Sequence, residues 1–356
     1  MLNRSTDNMK KISHYILFSI IGILLSSCSG LKYLTVETLE PAQVNLPDNI
    51  LRVAVVNNVV QQPDEIGHDL IKLGSNSTER EKASSDSIAI FYTEALTQFL
   101  DEADYYQRVT YYSKPLREDS DFFMEKPLSP ERMNEIKSET RSDAVISLDK
   151  LIIETNKREH FRQFGSTYAD LKGKIYSIIR VYLPTMNGKI PAVQYTDSLY
   201  WEGFDLQDNI MFTEVKLPSR EEAMKLLAIH AAEKMSNVFA PHWEMQDRWY
   251  YTMPNKYMRE GETYAKVADW NNAIIKWESF YNLQSNKTSK AKAASNIALA
   301  YEMLDNMVEA FEWAKEANKL FNESTSPNSL ERRRSQLYMN EIERRRSNSN
   351  RIDLWE

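Results

Sequence analysis

The side chains best equipped for chemistry in this 356-residue chain are one thiol and a few imidazoles, and their spacing limits what they can do. Cys28 is the single cysteine and follows Leu25-Ser26-Ser27. A lone thiol makes no intramolecular disulfide, which leaves it the roles of nucleophile, metal ligand or acyl acceptor. Four histidines follow it, at positions 68, 160, 230 and 242. His230 and Glu233 lie three apart on an expected helix, a spacing able to grip a metal. No second histidine or cysteine pair accompanies them, so a packed histidine beside Leu226 and Leu227 is expected and no metal or other cofactor. Glycine-rich phosphate loops, a Gly-x-Ser-x-Gly elbow and His-Glu-x-x-His are all missing from the sequence. Acidic neighbours such as Asp149 and Glu154 are too common in a chain this charged to signal glycosidase chemistry. No catalytic residue is expected. Asn57 and Asn58, at the end of a strand, mark a possible ligand site, with turn formation as the plainer account.

The residues before Cys28 settle its role. Lys10-Lys11, the apolar run Tyr15 to Leu25 and the small pair Ser26-Ser27 form a charged start, an apolar middle and a cleavage site. The run covers about 11 residues, short of the ~20 that span a bilayer. Leu25-Ser26-Ser27-Cys28 resembles the lipobox of bacterial lipoprotein precursors, in which the cysteine is acylated and becomes the first mature residue. The resemblance implies a signal peptide over 1–27, lipidation of Cys28 and attachment to a membrane. Ser29-Gly30-Leu31-Lys32 carries no acidic cluster of the kind found in surface-exported lipoproteins of the Bacteroidota. An outer-membrane anchor facing the periplasm is therefore expected. The formal net charge of −7 gives no overall attraction to nucleic acid. Arg332-Arg333-Arg334 and Arg344-Arg345-Arg346 are interrupted by Glu331, Glu341 and Glu343. They predict a solvated helix face, with contact to anionic headgroups as the alternative.

The elements that would position these groups fall into segments. Residues 28–49 hold Pro41 and Pro47 and no strong period, so they predict a lipidated tether with an edge strand near Thr35 to Glu37. Ile50 to Val56 is a valine-rich run suited to a strand covered on both faces. A long loop is expected from Gln61 to Ser85. Ile88, Phe91, Ala95 and Phe99 recur at helical spacing after Asp86 and Ser87. Tyr105 to Tyr112 predicts a strand, and Ser129-Pro130 opens a helix. Ala144 to Glu154 follows as a strand. Two more strands, Leu171 to Leu183 and Ile190 to Phe204, flank Asn187-Gly188 as a hairpin. Ser219-Arg220-Glu221-Glu222 caps a helix whose inner face is Ala223, Leu227, Ala231, Met235 and Val238. Arg248 to Thr252 ends a domain over 50–253. The order predicts an α+β fold, a mixed sheet with packed helices. It resembles the small periplasmic domain of the Tol translocation protein and of curli-secretion lipoproteins.

Residues 254–356 predict only helix, with self-similarity at a shift of 37. Gly261 aligns with Ala298, Tyr264 with Tyr301, Trp270 with Met307, and Ala273 with Ala310. Small residues at 261, 273, 298 and 310 allow close helix contact, while Trp270 fills the gap between hairpins. The pattern resembles a tetratricopeptide repeat pair, although Glu260 replaces the usual leucine and the expected proline is missing. Leu330, Leu337, Tyr338 and Ile342 form one face of a capping helix. The whole chain resembles uncharacterised Bacteroidota lipoproteins, on Leu39-Glu40-Pro41-Ala42 and Leu51-Arg52-Val53-Ala54-Val55-Val56-Asn57-Asn58. By resemblance to tetratricopeptide grooves, Met258, Glu262, Ala265, Lys266, Ser295, Leu299, Glu302 and Met303 would line an open groove for a protein or peptide partner. Substituting Lys266 or Glu302 would then leave stability unchanged. The expected function is a non-enzymatic, protein-binding or scaffold lipoprotein. The alternative is an accessory of envelope assembly, in secretion or peptidoglycan synthesis, acting through the α/β domain; a glycan-active enzyme is the third reading.

Overall fold

A computed structural model describes residues 30–352, apart from Asn45, Asn76, Glu118 and residues 162–166, 184–191 and 205–216. Cys28, the signal segment and the Asn187-Gly188 turn lie outside the described residues. The fold is α+β, and the chain divides into two compact units. Ala42–His242 forms one, and the described residues on either side of it form the other.

The central unit is a seven-stranded sheet built around one long strand. Strands β2 (Arg52–Asn57) and β5 (Arg108–Tyr112) run parallel, and β2 also runs parallel to the first half of β6 (Ala144–Phe161). The far half of β6 pairs with β3 (His68–Ile71), which is bordered by the two-residue β4 (Glu79–Arg80). Along its other edge β6 pairs antiparallel with β7 (Thr167–Tyr182), and β7 with β8 (Ala192–Phe204). Short strands β3 and β4 thus occupy what the sequence predicts as loop. Two helices, α1 (Ile88–Glu102) and α3 (Arg220–Phe239), share a core with Val53 and Val55. Helix α2 (Pro130–Thr140) contributes Ile136 to a second core holding Ala54 and Val56. Strand β2 is therefore covered on both faces, as its unbroken valine run requires.

Helix α3 buries all five of its expected core residues, and Ser219 accepts the Glu222 N–H at 3.1 Å. Helix α1 is turned by one residue. Tyr92, Leu96 and Leu100 are fully buried at spacing four, while Phe91, Ala95 and Phe99 pack only partly. The Tyr92 hydroxyl meets Ser177 Oγ at 3.2 Å, so the ring enters the core with its polar tip satisfied. Ser87 sits in the left-handed region at φ 63° and makes no side-chain cap bond.

The second unit joins a two-stranded sheet to five helices. Strand β1 (Leu31–Glu40) pairs with β9 (His242–Tyr251). The Thr252 N–H donates to the Gly30 carbonyl at 2.9 Å, and Thr35 Oγ1 to Asp247 at 3.2 Å, so the strands run antiparallel. The edge strand expected near Thr35 to Glu37 thus extends over Leu31–Glu40, starting three residues after Cys28 and taking up the first half of the expected tether. By contacts, Trp243 to Tyr251 group with the helices that follow, because the partner of β9 is β1 and not the large sheet. Helices α4 (Lys256–Ala265), α5 (Trp270–Leu283), α6 (Lys287–Met303), α7 (Met307–Ser324) and α8 (Leu330–Ile352) pack in sequence order. The 37-residue shift reappears in the backbone. Ala268 and Asp305 both adopt φ 57°. Directly after them, Asp269 and Asn306 cap the next helix by accepting the Asn272 and Glu309 N–H groups.

Ala273 and Ala310 are fully buried, and a Cβ on Gly261 would lie 2.3 Å from Trp277 Nε1. Trp277, fully buried, is the large residue between helices; Trp270 is only half-buried. On α8 the inner residues are Ser335, Tyr338 and Ile342, whereas Leu330 and Leu337 are exposed. Leu337 lies one position off the stripe that Tyr338 defines. Ala273→Leu or Ala310→Leu is expected to cost about 1–3 kcal/mol by overpacking. Trp277→Ala is expected to cost about 3–5 kcal/mol, well above Trp270→Ala. Urea unfolding of the full chain, followed by the transition of the helical unit, checks both.

Candidate functional site

The residues expected to line a groove do converge on one surface of the helical unit, but that surface is covered. Met258, Ala265, Ser295, Leu299 and Glu302 are buried, Glu262 and Met303 are half-buried, and Lys266 alone is exposed. The cover is the chain's own β1–β9 sheet. Met258, Ala265 and Leu299 share a core with Tyr250 and Tyr251 of β9, against which Leu31 and Leu34 of β1 pack. The expectation of an open lining fails because a tyrosine- and tryptophan-rich strand is available within the unit to fill it.

One contact shows how the helices hold this strand. The Asn296 side chain accepts the Tyr251 N–H at 2.6 Å and donates to the Tyr251 carbonyl at 2.8 Å. A carboxamide offers one donor and one acceptor, which matches the outward groups of one strand residue. Asn296 is fully buried in a run of alanines, so without Tyr251 both amide atoms would be unsatisfied. An amide among alanines on an inner helix face was a signal legible in the sequence.

Charge is concentrated beside this clamp. The Glu302 carboxylate accepts from Arg248 Nε at 2.9 Å and from the Tyr338 hydroxyl at 2.7 Å, and it pairs with Arg345. Arg248 also donates to Gln246 at 2.7 Å. Arg344 pairs with Glu40 of β1 and, at 2.7 Å, with Glu341. Burial opposes the charge on Arg248, but Glu302 outweighs it and the guanidinium pKa rises. Burial and the neighbouring Glu302 charge push the Tyr338 hydroxyl well above its ordinary value. The second arginine run is therefore only partly solvated, with Arg344 exposed and Arg345 half-buried. Arg344 and Arg345 neutralise two buried carboxylates. Lys266 and Lys32 both reach Glu262, at 2.9 and 3.5 Å.

The other sequence candidates sit in the central unit. Asn58 is buried and donates to the Lys126 carbonyl at 2.7 Å and to Asp149 at 3.0 Å. Asp149 also accepts from Ser147 at 2.5 Å, Arg180 at 2.6 Å and Tyr182 at 3.2 Å. It is the extra residue of a bulge in β6, between Leu148 and Lys150. Burial, then the Arg117 charge, lowers the pKa of the neighbouring Lys150 ammonium, which lies 3.8 Å from the centre of the Phe122 ring. Asn58 thus serves this network. Asn57 accepts the Val59 N–H at 3.0 Å and borders a hollow of about 140 Å³ at the start of α1. His230 lies 3.8 Å from Glu233 and 3.4 Å from Asp197. Among the described residues no group of three or more metal-ligating side chains comes together.

Glu302→Ala would leave Arg248 buried without its carboxylate, so it is expected to destabilise the helical unit by about 3–5 kcal/mol. Lys266→Ala, at an exposed side chain, is expected to stay within about 0.5 kcal/mol. Comparing the two variants by chemical denaturation separates a buried network from an open groove, for which both would be silent.

No curated protein matches the chain. A family described as Domain of unknown function (DUF6340) matches residues 259–344, from α4 into α8. A second, described as Domain of unknown function (DUF8603), matches residues 50–251. This match takes in all of the central unit except residues 42–49, continues through strand β9 and exceeds half of the chain, which therefore belongs to the DUF8603 family.

Proposed function

We propose that this protein is a non-enzymatic, protein-binding lipoprotein, anchored in the outer membrane through Cys28 and facing the periplasm. The observation that carries the binding role is the Asn296 clamp on Tyr251. The clamp holds extended backbone against the inner face of α6, here the chain's own β9, and so supports a role in which extended segments are added to the β1–β9 sheet. The repeated left-handed turn and cap at 268–269 and 305–306 support a tetratricopeptide-like pair over α4–α7, with α8 as its cap. The lipobox and the resemblance to Bacteroidota lipoproteins support the anchor. Among the described residues no helix is long and apolar enough to cross a bilayer, so attachment rests on the acylated cysteine.

On this reading the anchor has almost no tether. A single residue, Ser29, separates Cys28 from Gly30, whose carbonyl is already bonded to Thr252, and extended chain spans at most ~3.6 Å per residue. The β1–β9 sheet and its helices are then held at the membrane surface. Metabolic labelling with a fatty acid is expected to mark the wild-type chain and to miss Cys28→Ala, which should leave the membrane fraction. Equal labelling of both would refute the anchor. The binding role predicts that crosslinking in intact envelopes joins the chain to a defined protein through α4–α8. Products that map only to the central unit would favour an envelope-assembly accessory acting through that unit.

A further inference from the structure

The β1–β9 sheet has two long edges. The edge of β9 is held by Asn296, whereas the edge of β1 borders a hollow of about 740 Å³. Residues 34–39 of β1 form one side of it, and Trp270, Met303 and Met307 line the helical side. In an antiparallel pair, alternate residues turn their N–H and C=O groups toward the partner strand. The Gly30–Thr252 bond fixes the alternation: the even-numbered residues of β1 face β9. The backbone groups of Tyr33, Thr35, Glu37 and Leu39 then point outward. The apolar side chain of Trp243, 69% exposed, also lines the hollow.

We infer that this edge is a docking site for an extended segment of a partner protein in which apolar residues alternate with lysine or arginine, added as a third strand beside β1. The inference rests on the protein-binding reading and specifies its surface. The alternation follows from the two faces of the edge. On the helical face an incoming strand meets Val36, Trp270, Met303 and Met307, which suit apolar side chains. On the outer face it meets Thr35 and Glu37, which are exposed. The charges that line the hollow fix the sign of the ligand. Arg248, Arg344 and Arg345 are balanced by Glu40, Glu302 and Glu341, and Glu37 and Asp305 remain as carboxylates with no ion-pair partner among the described residues. Six residues of β1 extend about 20 Å at ~3.3 Å each, enough to register a short strand. The backbone pairing supplies affinity, and the alternate side chains supply selection.

The test uses the full chain and a fluorescein-labelled peptide of alternating valine and lysine, followed by anisotropy. Saturable binding is expected, weakened on the order of tenfold by Glu37→Lys and by Asp305→Lys, both at exposed sites. Thr35→Pro removes an outward N–H at an edge position that tolerates proline, and is expected to abolish binding. A valine–glutamate peptide, and a valine–lysine peptide N-methylated at alternate residues, should not bind. Absence of saturable binding, or equal binding of either control peptide, overturns the inference. So does a dimer of the chain that Thr35→Pro dissociates, because the edge would then be taken by a second copy. An envelope partner that still binds Thr35→Pro and Glu37→Lys overturns this site and leaves the protein-binding reading standing.

Discussion

The Glu302 carboxylate sits in the middle of a helix bundle with its side chain fully shielded, and a charge in that position needs partners on every side. Three partners arrive from two elements: Arg248 from β9, and Tyr338 and Arg345 from α8. A second buried carboxylate, Glu40 of β1, is balanced by Arg344 one residue away. The charges therefore work as a registry device. Helices α4–α8 packed without the strands would hold Glu302 without Arg248. The strands without α8 would hold Glu40 without Arg344. Apolar packing alone would tolerate sliding of the sheet along the helices, whereas these pairs and the Asn296 clamp admit one register.

The central unit meets the same constraint in a sheet. Asp149 is fully buried, and it reaches four donors because the bulge in β6 inserts an extra residue there. Asn58 brings the end of β2 to it, and Arg180 and Tyr182 bring the end of β7. Bulges re-aim a side chain at the cost of one ladder step. Here the re-aimed group ties together the loop after β2, the segment carrying Lys126 and the antiparallel half of the sheet.

Much of this architecture is legible in the sequence, and the limit follows the range of the forces involved. Periodicity finds β2, β6 and α3, since burial on one or two faces writes itself into consecutive residues. The shift of 37 finds the helical repeat, and the matching left-handed turns at Ala268 and Asp305 show that it reaches the backbone. Reading α1 fails by one residue because two stripes compete, and Tyr92 prevails through a hydroxyl partner 85 positions away. The groove residues are expected to line an open surface, and most are buried instead because their cover is invisible in the sequence, where no local pattern ties β1 to β9. A run of arginines reads as solvated until the carboxylates at 40 and 302 are known to be buried beside it.

That long-range pairing also sets how the helical unit forms. Residues 41–241 lie between the two strands, so in sequence the central unit is an insertion within the other. Glu40 and His242 are opposed in the ladder, which brings the entry and exit of the insertion together, as tolerated insertions require. Closing a loop of about 200 flexible residues costs only ~2 kcal/mol more than closing one of about 25. A central unit that folds first removes even that difference by presenting its ends as neighbours. Strand β9 adds Arg248 to Glu302, which already has Arg345 from α8, and its Tyr251 occupies the Asn296 clamp. The register of the helical unit thus rests on the contacts most distant in sequence, and any partner added at the edge of β1 would extend a sheet whose other edge is already fixed to the helices.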